Sequence, residues 1–266
     1  MLVKQPKYRK QLSKDQIKLL ALVCKFRFVT VPLVNEWRQK DKSTIYERLL
    51  VLTKQGYLHK TYDKSYRLLG KPAVYSLTAQ GIRTLRDNEV GFSELVYKNQ
   101  YKNRSASSQL VDHSLDVFKL CLQLKSQYDE KLELFTKAEM TKYEQFIRPL
   151  PDLYIRKKAK KDGKLVHYQL ETLEAGILTW IVRKRLQAHQ EWCEEHEEEW
   201  EDNYPTLLFV CENANTEKRV QRLVNSGYFD FGVMTTTRER VETNSAKIWL
   251  HDFDSDWDEE MVLKQL

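Results

Sequence analysis

The 266-residue sequence predicts a two-domain chain of mixed helix and strand, α+β in its first part and α/β in its second. Three observations carry that expectation. The length exceeds one ordinary domain, and an apolar share of 41% suffices for two modest cores. Within each half the hydrophobic period changes from the helical to the strand repeat. The charge also changes sign: Met1 to Arg104 holds 22 Lys and Arg against 8 Asp and Glu, a net of +14, whereas Ser105 to Leu266 holds 22 against 30, a net of −8.

The first element is SKDQIKLLALVCKF, where Ser13 caps a helix and Ile17, Leu20, Ala21 and Cys24 share one face. FVTVPLVNEWRQ follows as a second helix, with Thr30 as cap, Pro32 in the first turn and Leu33, Val34 and Trp37 as its apolar face. DKSTIYERLLVLTKQGYL is the third. Ile45, Leu49 and Leu52 recur at helical spacing, and Gly56 suits the left-handed position beyond the helix end. YLHKTYD and KPAVYSL then read as two strands around the basic tip KSYRLLG, before LTAQGIRTLR opens another helix.

Three helices and a basic hairpin are the parts of a winged helix-turn-helix, expected over residues 1–90. The net of +14 in this half is the footprint of a phosphate-binding surface, so double-stranded DNA is the expected partner. Lys42, Ser43, Thr44, Glu47 and Arg48 lie on the outer face of the third helix. Arg48 is suited to a bidentate contact with guanine and Glu47 to accepting from cytosine. Lys60, Lys64, Arg67 and Lys71 are the expected phosphate contacts of the hairpin. Residues 91–106 read as a linker or as a helix packed across the wing.

Residues 107–266 read as an α/β domain. SQLVDHSLDVFKLCLQLKSQY is an amphipathic helix with Leu110, His113, Val117, Leu120 and Leu124 in one stripe. Three strands follow: KLELFTKAEM, PDLYIRKK and KLVHYQLE, the last with Val166, Tyr168 and Leu170 alternating against His167, Gln169 and Glu171. A long helix comes next, with Ile177, Ile181, Ala188 and Trp192 toward the sheet. TLLFVCEN is a continuous apolar run, the mark of a central strand. A helix TEKRVQRLVNSG, a strand FDFGVMTTT and an edge strand AKIWLHD complete a restriction-endonuclease-like order.

The whole order resembles the replication-relaxation family of mobile-element proteins. The resemblance spans most of residues 13 to 226 and rests on KPAVYSLTAQG, LVDHSLDVFKL, the Pro-Asp strand and the acidic strand after it. It implies a DNA-binding accessory protein of a plasmid or mobile element, acting at an origin of replication or transfer beside a relaxase or replication initiator.

A nuclease of the PD-(D/E)xK type holds Mg²⁺ with two carboxylates on adjacent strands and uses a lysine to position water. Asp152 fits the first acid. On the next strand Glu171 is the candidate second catalytic and metal-binding acid, with Glu174 behind it. Gln169 stands where family members carry a carboxylate, and no lysine follows; Lys184 or His189 of the next helix are the candidates to replace it. The expectation is therefore a domain that does not cut and needs no cofactor, with Mg²⁺ on Asp152 and Glu171 if it does. A metal-dependent endonuclease and a transcriptional repressor are the alternatives, and a homodimer stays open.

Other chemistry is poorly supported. There is no P-loop motif, and no two histidines flank a single apolar residue as a relaxase metal site needs. Cys24, Cys121, Cys193 and Cys211 are widely spaced, so they read as buried thiols. His189, Cys193 and His196 share a helical face but lack a fourth zinc ligand. The acidic runs EEHEEEWED and DFDSDWDEE read as solvated segments or docking patches for a basic partner. No stretch of about 18 apolar residues occurs and no signal segment opens the chain, so a cytoplasmic protein without a membrane partner is expected.

Overall fold

The computed structural model describes residues 11–39, 41–128, 132–158, 164–200, 204–227, 229, 231–243, 245–251 and 263–266. The acidic tail at 252–260 and the basic turn at 159–163 lie outside the described residues. The chain is mixed α/β and divides into two compact units, Met1–Lys119 and Leu120–Leu266.

In the first unit α1 (Lys14–Phe26) starts in a capping box: the Ser13 hydroxyl accepts from the Gln16 amide at 3.3 Å while the Gln16 side chain accepts from the Ser13 amide at 2.9 Å. Its buried face is wider than the expected one, because Leu19, Leu22, Val23 and Phe26 join Leu20 and Cys24. β1 (Val29–Thr30) leads into α2 (Val31–Arg38), with Pro32 in the first turn where a missing amide proton is harmless. α3 (Lys42–Lys54) buries Ile45, Leu49 and Leu52 completely. It ends in a Schellman motif, with Gly56 at φ +82°, the Gly56 amide on Thr53 O and the Tyr57 amide on Leu52 O.

β2 (Leu58–Thr61) and β3 (Val74–Leu77) pair antiparallel, and β1 joins on the other side of β3 to give the order β1-β3-β2. The connection between β2 and β3 differs from the bare basic tip expected. It contains a helical turn, α4 (Lys64–Leu68), because Asp63 accepts from the Ser65 and Tyr66 amides and so nucleates it.

α5 (Ala79–Asp87) is held tightly against the end of α3. The Thr78 hydroxyl donates to Gly56 O at 2.6 Å and accepts from the Gly81 amide at 3.2 Å. A Cβ on Gly81 would sit 2.4 Å from Tyr57 O, which is backbone and has no rotamer to yield. Gly81→Ala is accordingly expected to destabilise the first unit by about 2 kcal/mol, read from the thermal transition.

Of the two readings of residues 91–106, a linker or a helix across the wing, the chain takes a helix, and it packs on α1. α6 (Glu94–Gln100) is followed by a 3-10 turn, Asn103–Ser105. Gln100 donates to Cys24 O at 3.0 Å, Asn103 donates to Gln100 at 2.7 Å, and Arg27 donates to Asn103 at 2.6 Å, so this segment closes over α1. α7 (Ser108–Tyr128) comes next, and the boundary between the two units falls within it. Phe118 on its first half stacks on Phe26 with ring centroids 3.8 Å apart.

The second unit is one seven-stranded mixed sheet, in the order β10-β9-β8-β7-β6-β5-β4. β4 (Leu132–Thr136), β5 (Leu153–Lys158) and β6 (Leu165–Leu173) form an antiparallel meander, with the short α8 (Lys137–Met140) after β4. α9 (Thr179–Glu195) and α10 (Glu197–Trp200) cross over to β7 (Thr206–Cys211), which therefore runs parallel to β6. α11 (Ala214–Asn225) makes the same crossover to β8 (Val233–Thr237). α12 (Arg238–Glu242), β9 (Lys247–Leu250) and β10 (Leu263–Gln265) finish the sheet, so β10 and not β9 is its edge.

β7 is buried from Leu207 to Cys211, as its continuous apolar run requires. Leu207, Phe209 and Cys211 face a core shared with Val182, Leu186 and Trp192 of α9 and Val220 of α11. The apolar stripe of α9 is wider than the expected one, of which Ile177, Ala188 and Trp192 pack on this core. The helix begins only at Thr179, so Ile177 precedes it, and Val182, Leu186, His189, Trp192 and Cys193 turn inward while Ile181 and Ala188 are half-buried.

Candidate nucleic-acid interface

The outer face of α3 is less uniform than its sequence. Asp41 caps the helix and accepts from both the amide and the hydroxyl of Ser43 and Thr44, with hydroxyl distances of 2.5 Å and 2.9 Å. These bonds, the Ser43 and Thr44 hydroxyls first, hold the Asp41 carboxyl down to about 2. Ser43 and Thr44 are thus cap residues whose hydroxyls are committed to Asp41, which corrects their expected role at base edges. Arg48 is a second correction. Its guanidinium pairs with Asp15 of α1, and the other Asp15 oxygen takes Arg38 at 2.9 Å. Arg48 therefore joins α3 to α1 instead of reaching outward. Lys42 and Glu47 remain exposed.

The sequence reading missed two aromatic residues. Tyr46, 44% exposed, and Tyr62, 50% exposed, flank Lys60, whose ammonium lies 5.9 Å and 5.6 Å from their ring centroids. Lys60 thus bridges α3 and β2 through two cation–π contacts. The signal was legible as Tyr46 falling one residue before Glu47 on the same outer arc. Beyond β2, Lys64 and Arg67 are exposed on α4, and Leu68 and Leu69 follow them as an exposed apolar pair. Lys71 makes a half-exposed ion pair with Asp112 at 3.2 Å, so it is the least available of the four expected phosphate contacts.

The acids of the second unit are placed differently from a metal centre. Asp152 is 3% exposed; one oxygen accepts from the Lys137 ammonium at 2.7 Å and the other from the Thr172 amide at 2.9 Å and hydroxyl at 2.8 Å. Glu171 alternates with Gln169 on the α9 side of β6 and lies 3.5 Å from the Arg185 guanidinium, which also donates to Pro149 O at 3.2 Å. Lys184, expected to reach inward, is exposed, and its neighbour Arg185 takes that place.

Hard divalent cations need charged oxygens facing one open point. Here Asp152 accepts three hydrogen bonds from its own chain, Glu171 meets a guanidinium, Gln169 is an amide, and Glu174 follows the end of β6 half-buried. These residues do not fit Mg²⁺. Among the described residues no group of three His, Cys, Asp or Glu is placed to hold a metal ion.

His189 and His196 are each engaged with a backbone carbonyl. His189 Nε2 lies 3.1 Å from Pro205 O and His196 Nδ1 lies 2.9 Å from Trp192 O. Burial pushes His189 from 6.5 to about 4, so it is neutral in the folded chain, with its Nε2 proton donated to Pro205. The unfolded chain takes up this proton near pH 6.5 and the folded one only near pH 4. Stability from this group is therefore complete above pH 6.5 and is lost as pH falls toward 4, by about 3 kcal/mol. Urea unfolding at a series of pH values checks this, with a flatter profile expected for His189→Gln.

All four cysteines are buried, and burial raises the Cys24 thiol to about 12. Among the described residues no helix is long and apolar enough to cross a membrane.

No family model and no curated protein matches the chain. Among solved structures it is similar to a single-residue variant of ZitR from Lactococcus lactis. That match has 13% identity and a TM-score of 0.27, over 48% of this chain and 83% of the other. This overlap is too low to assign a fold or a function.

Proposed function

We propose that the chain binds double-stranded DNA with some sequence preference through its first unit, a winged helix-turn-helix in which α3 enters the major groove and the β2–β3 connection lies along the backbone. The observation that carries this reading is the outer face running from Lys42, Tyr46 and Glu47 on α3, across Lys60, to Lys64 and Arg67 on α4. Glu47 is the base-reading candidate, an acceptor for the cytosine amino group. Lys42, Lys60, Lys64 and Arg67 supply the counterion-releasing phosphate contacts.

The second unit belongs in this proposal as a restriction-endonuclease-like scaffold that does not cut, since Asp152 is spent on Lys137 and Thr172. In the setting that the replication-relaxation resemblance implies, such a protein is an accessory factor at an origin of replication or transfer of a plasmid or mobile element. It leaves the opening or nicking of the strand to a relaxase or initiator. Selection from a pool of randomised duplexes tests the reading. A motif enriched by the full chain, and lost on Glu47→Ala, is the expected result; a pool that stays random contradicts sequence preference.

A further inference from the structure

The second unit contains a cavity of about 360 Å³ that the DNA-binding reading does not use. Its size falls in the range of about 300–1,000 Å³ typical of small-molecule sites. Six rings wall it: Phe135, Tyr143, Phe146, Tyr154, Trp192 and Trp200. They meet each other at steep angles, Phe146 on Tyr154 at 4.8 Å and 72°, and Trp192 on Trp200 at 5.7 Å and 54°. A flat guest entering this enclosure meets ring faces and ring edges together.

Two donors beside the cavity lack partners, and Gln145 and the Tyr143 hydroxyl add groups that both donate and accept. Gln169, 1% exposed, has a buried Nε2 with no hydrogen-bond partner, and the buried Nε1 of Trp200 has none either. Leaving two such donors unsatisfied is costly, and the cost is removed by a guest carrying acceptors. Gln169, as an amide, donates where a carboxylate on the same strand face, such as Glu171, cannot. It separates this cavity from the narrow recess that holds Glu171. At the rim Arg156 lies over the Phe135 ring at 5.5 Å and donates through Nε and Nη2 to the exposed Glu133, which leaves its remaining N–H groups for an anion.

We propose that this cavity is a binding site for a nucleobase, carried by a nucleotide whose phosphate meets Arg156. The base satisfies each feature of the wall. It is planar, so it stacks on aromatic rings; its ring nitrogens and carbonyls are in-plane acceptors for Gln169 and Trp200; and its phosphate suits the guanidinium. An aliphatic guest leaves both donors unpaired, and a quaternary ammonium brings no acceptor to them. Free nucleotide and an unstacked base of single-stranded DNA share this chemistry.

The test is a titration of the full chain, followed by tryptophan fluorescence and calorimetry, with deoxyadenosine monophosphate, with ribose 5-phosphate and with a short single-stranded oligodeoxyadenylate. The oligonucleotide is added to a chain carrying Lys60→Ala, Lys64→Ala and Arg67→Ala, so that binding by the first unit is not read as binding here. Saturable binding of the mononucleotide, none of ribose 5-phosphate, and about tenfold weaker binding in both Trp200→Phe and Gln169→Met is the expected result. Gln169→Met keeps the size of the side chain while Trp200→Phe removes the indole N–H with a smaller ring, and their thermal transitions report whether they fold. A much tighter oligonucleotide than mononucleotide identifies single-stranded DNA as the source, and equal affinities identify free nucleotide. Absence of binding by both base-containing probes at millimolar concentration overturns the proposal. So does ribose 5-phosphate binding as well as the nucleotide, or folded variants that bind like the wild type.

Discussion

Asp152→Ala is expected to lower the unfolding free energy by about 4 kcal/mol, because it removes three charge-assisted hydrogen bonds at once from a buried carboxylate. The Thr172 amide and hydroxyl then lose their acceptor. Lys137 suffers less, since its side chain is 48% exposed and water replaces the lost partner. Lys137→Ala should therefore cost distinctly less than Asp152→Ala, and the two together little more than Asp152→Ala alone. Chemical denaturation of the three variants measures this. A catalytic acid behaves in the opposite way, since its removal commonly leaves stability unchanged or raised. An Asp152→Ala chain as stable as the wild type would show that these bonds do not hold the fold.

The contrast shows what the sequence could convey. The strand after Pro151 and its alternation with Gln169 and Glu171 were legible, because period-two burial is local. What Asp152 bonds to was not, since Lys137 lies 15 positions away and Thr172 lies 20 positions away. The same division runs through the first unit. Ser13, Gly56 and the Ile45, Leu49, Leu52 stripe follow from short-range rules of capping and period, and the chain places all of them as those rules require. Arg48 fails for the opposite reason: whether a helix-flank cation faces solvent or a neighbour depends on Asp15, 33 positions earlier. α4 was within reach, as Asp63 followed by Ser65 is a cap signal, but the glycine and the basic residues around it read more strongly as a turn. The aromatic cavity was out of reach, because its six rings come from five separate stretches between Phe135 and Trp200.

Removal of the exposed cations should act on DNA affinity and leave folding intact. Lys60→Ala, Lys64→Ala and Arg67→Ala combined are expected to weaken duplex binding about a hundredfold at moderate salt. None of the three is buried, so the thermal transition should stay nearly where it was. Arg48→Ala should show the reverse pattern, with a loss of stability from the broken Asp15 contact and a smaller loss of affinity through the looser seating of α3.

The most direct measurement of the central claim is the salt dependence of that affinity, followed by anisotropy of a labelled duplex. If Lys60, Lys64 and Arg67 each neutralise one phosphate, the triple variant has a slope of log affinity against log salt shallower than wild type by about three. A triple variant whose slope equals that of the wild type would mean that this face of the first unit does not meet DNA.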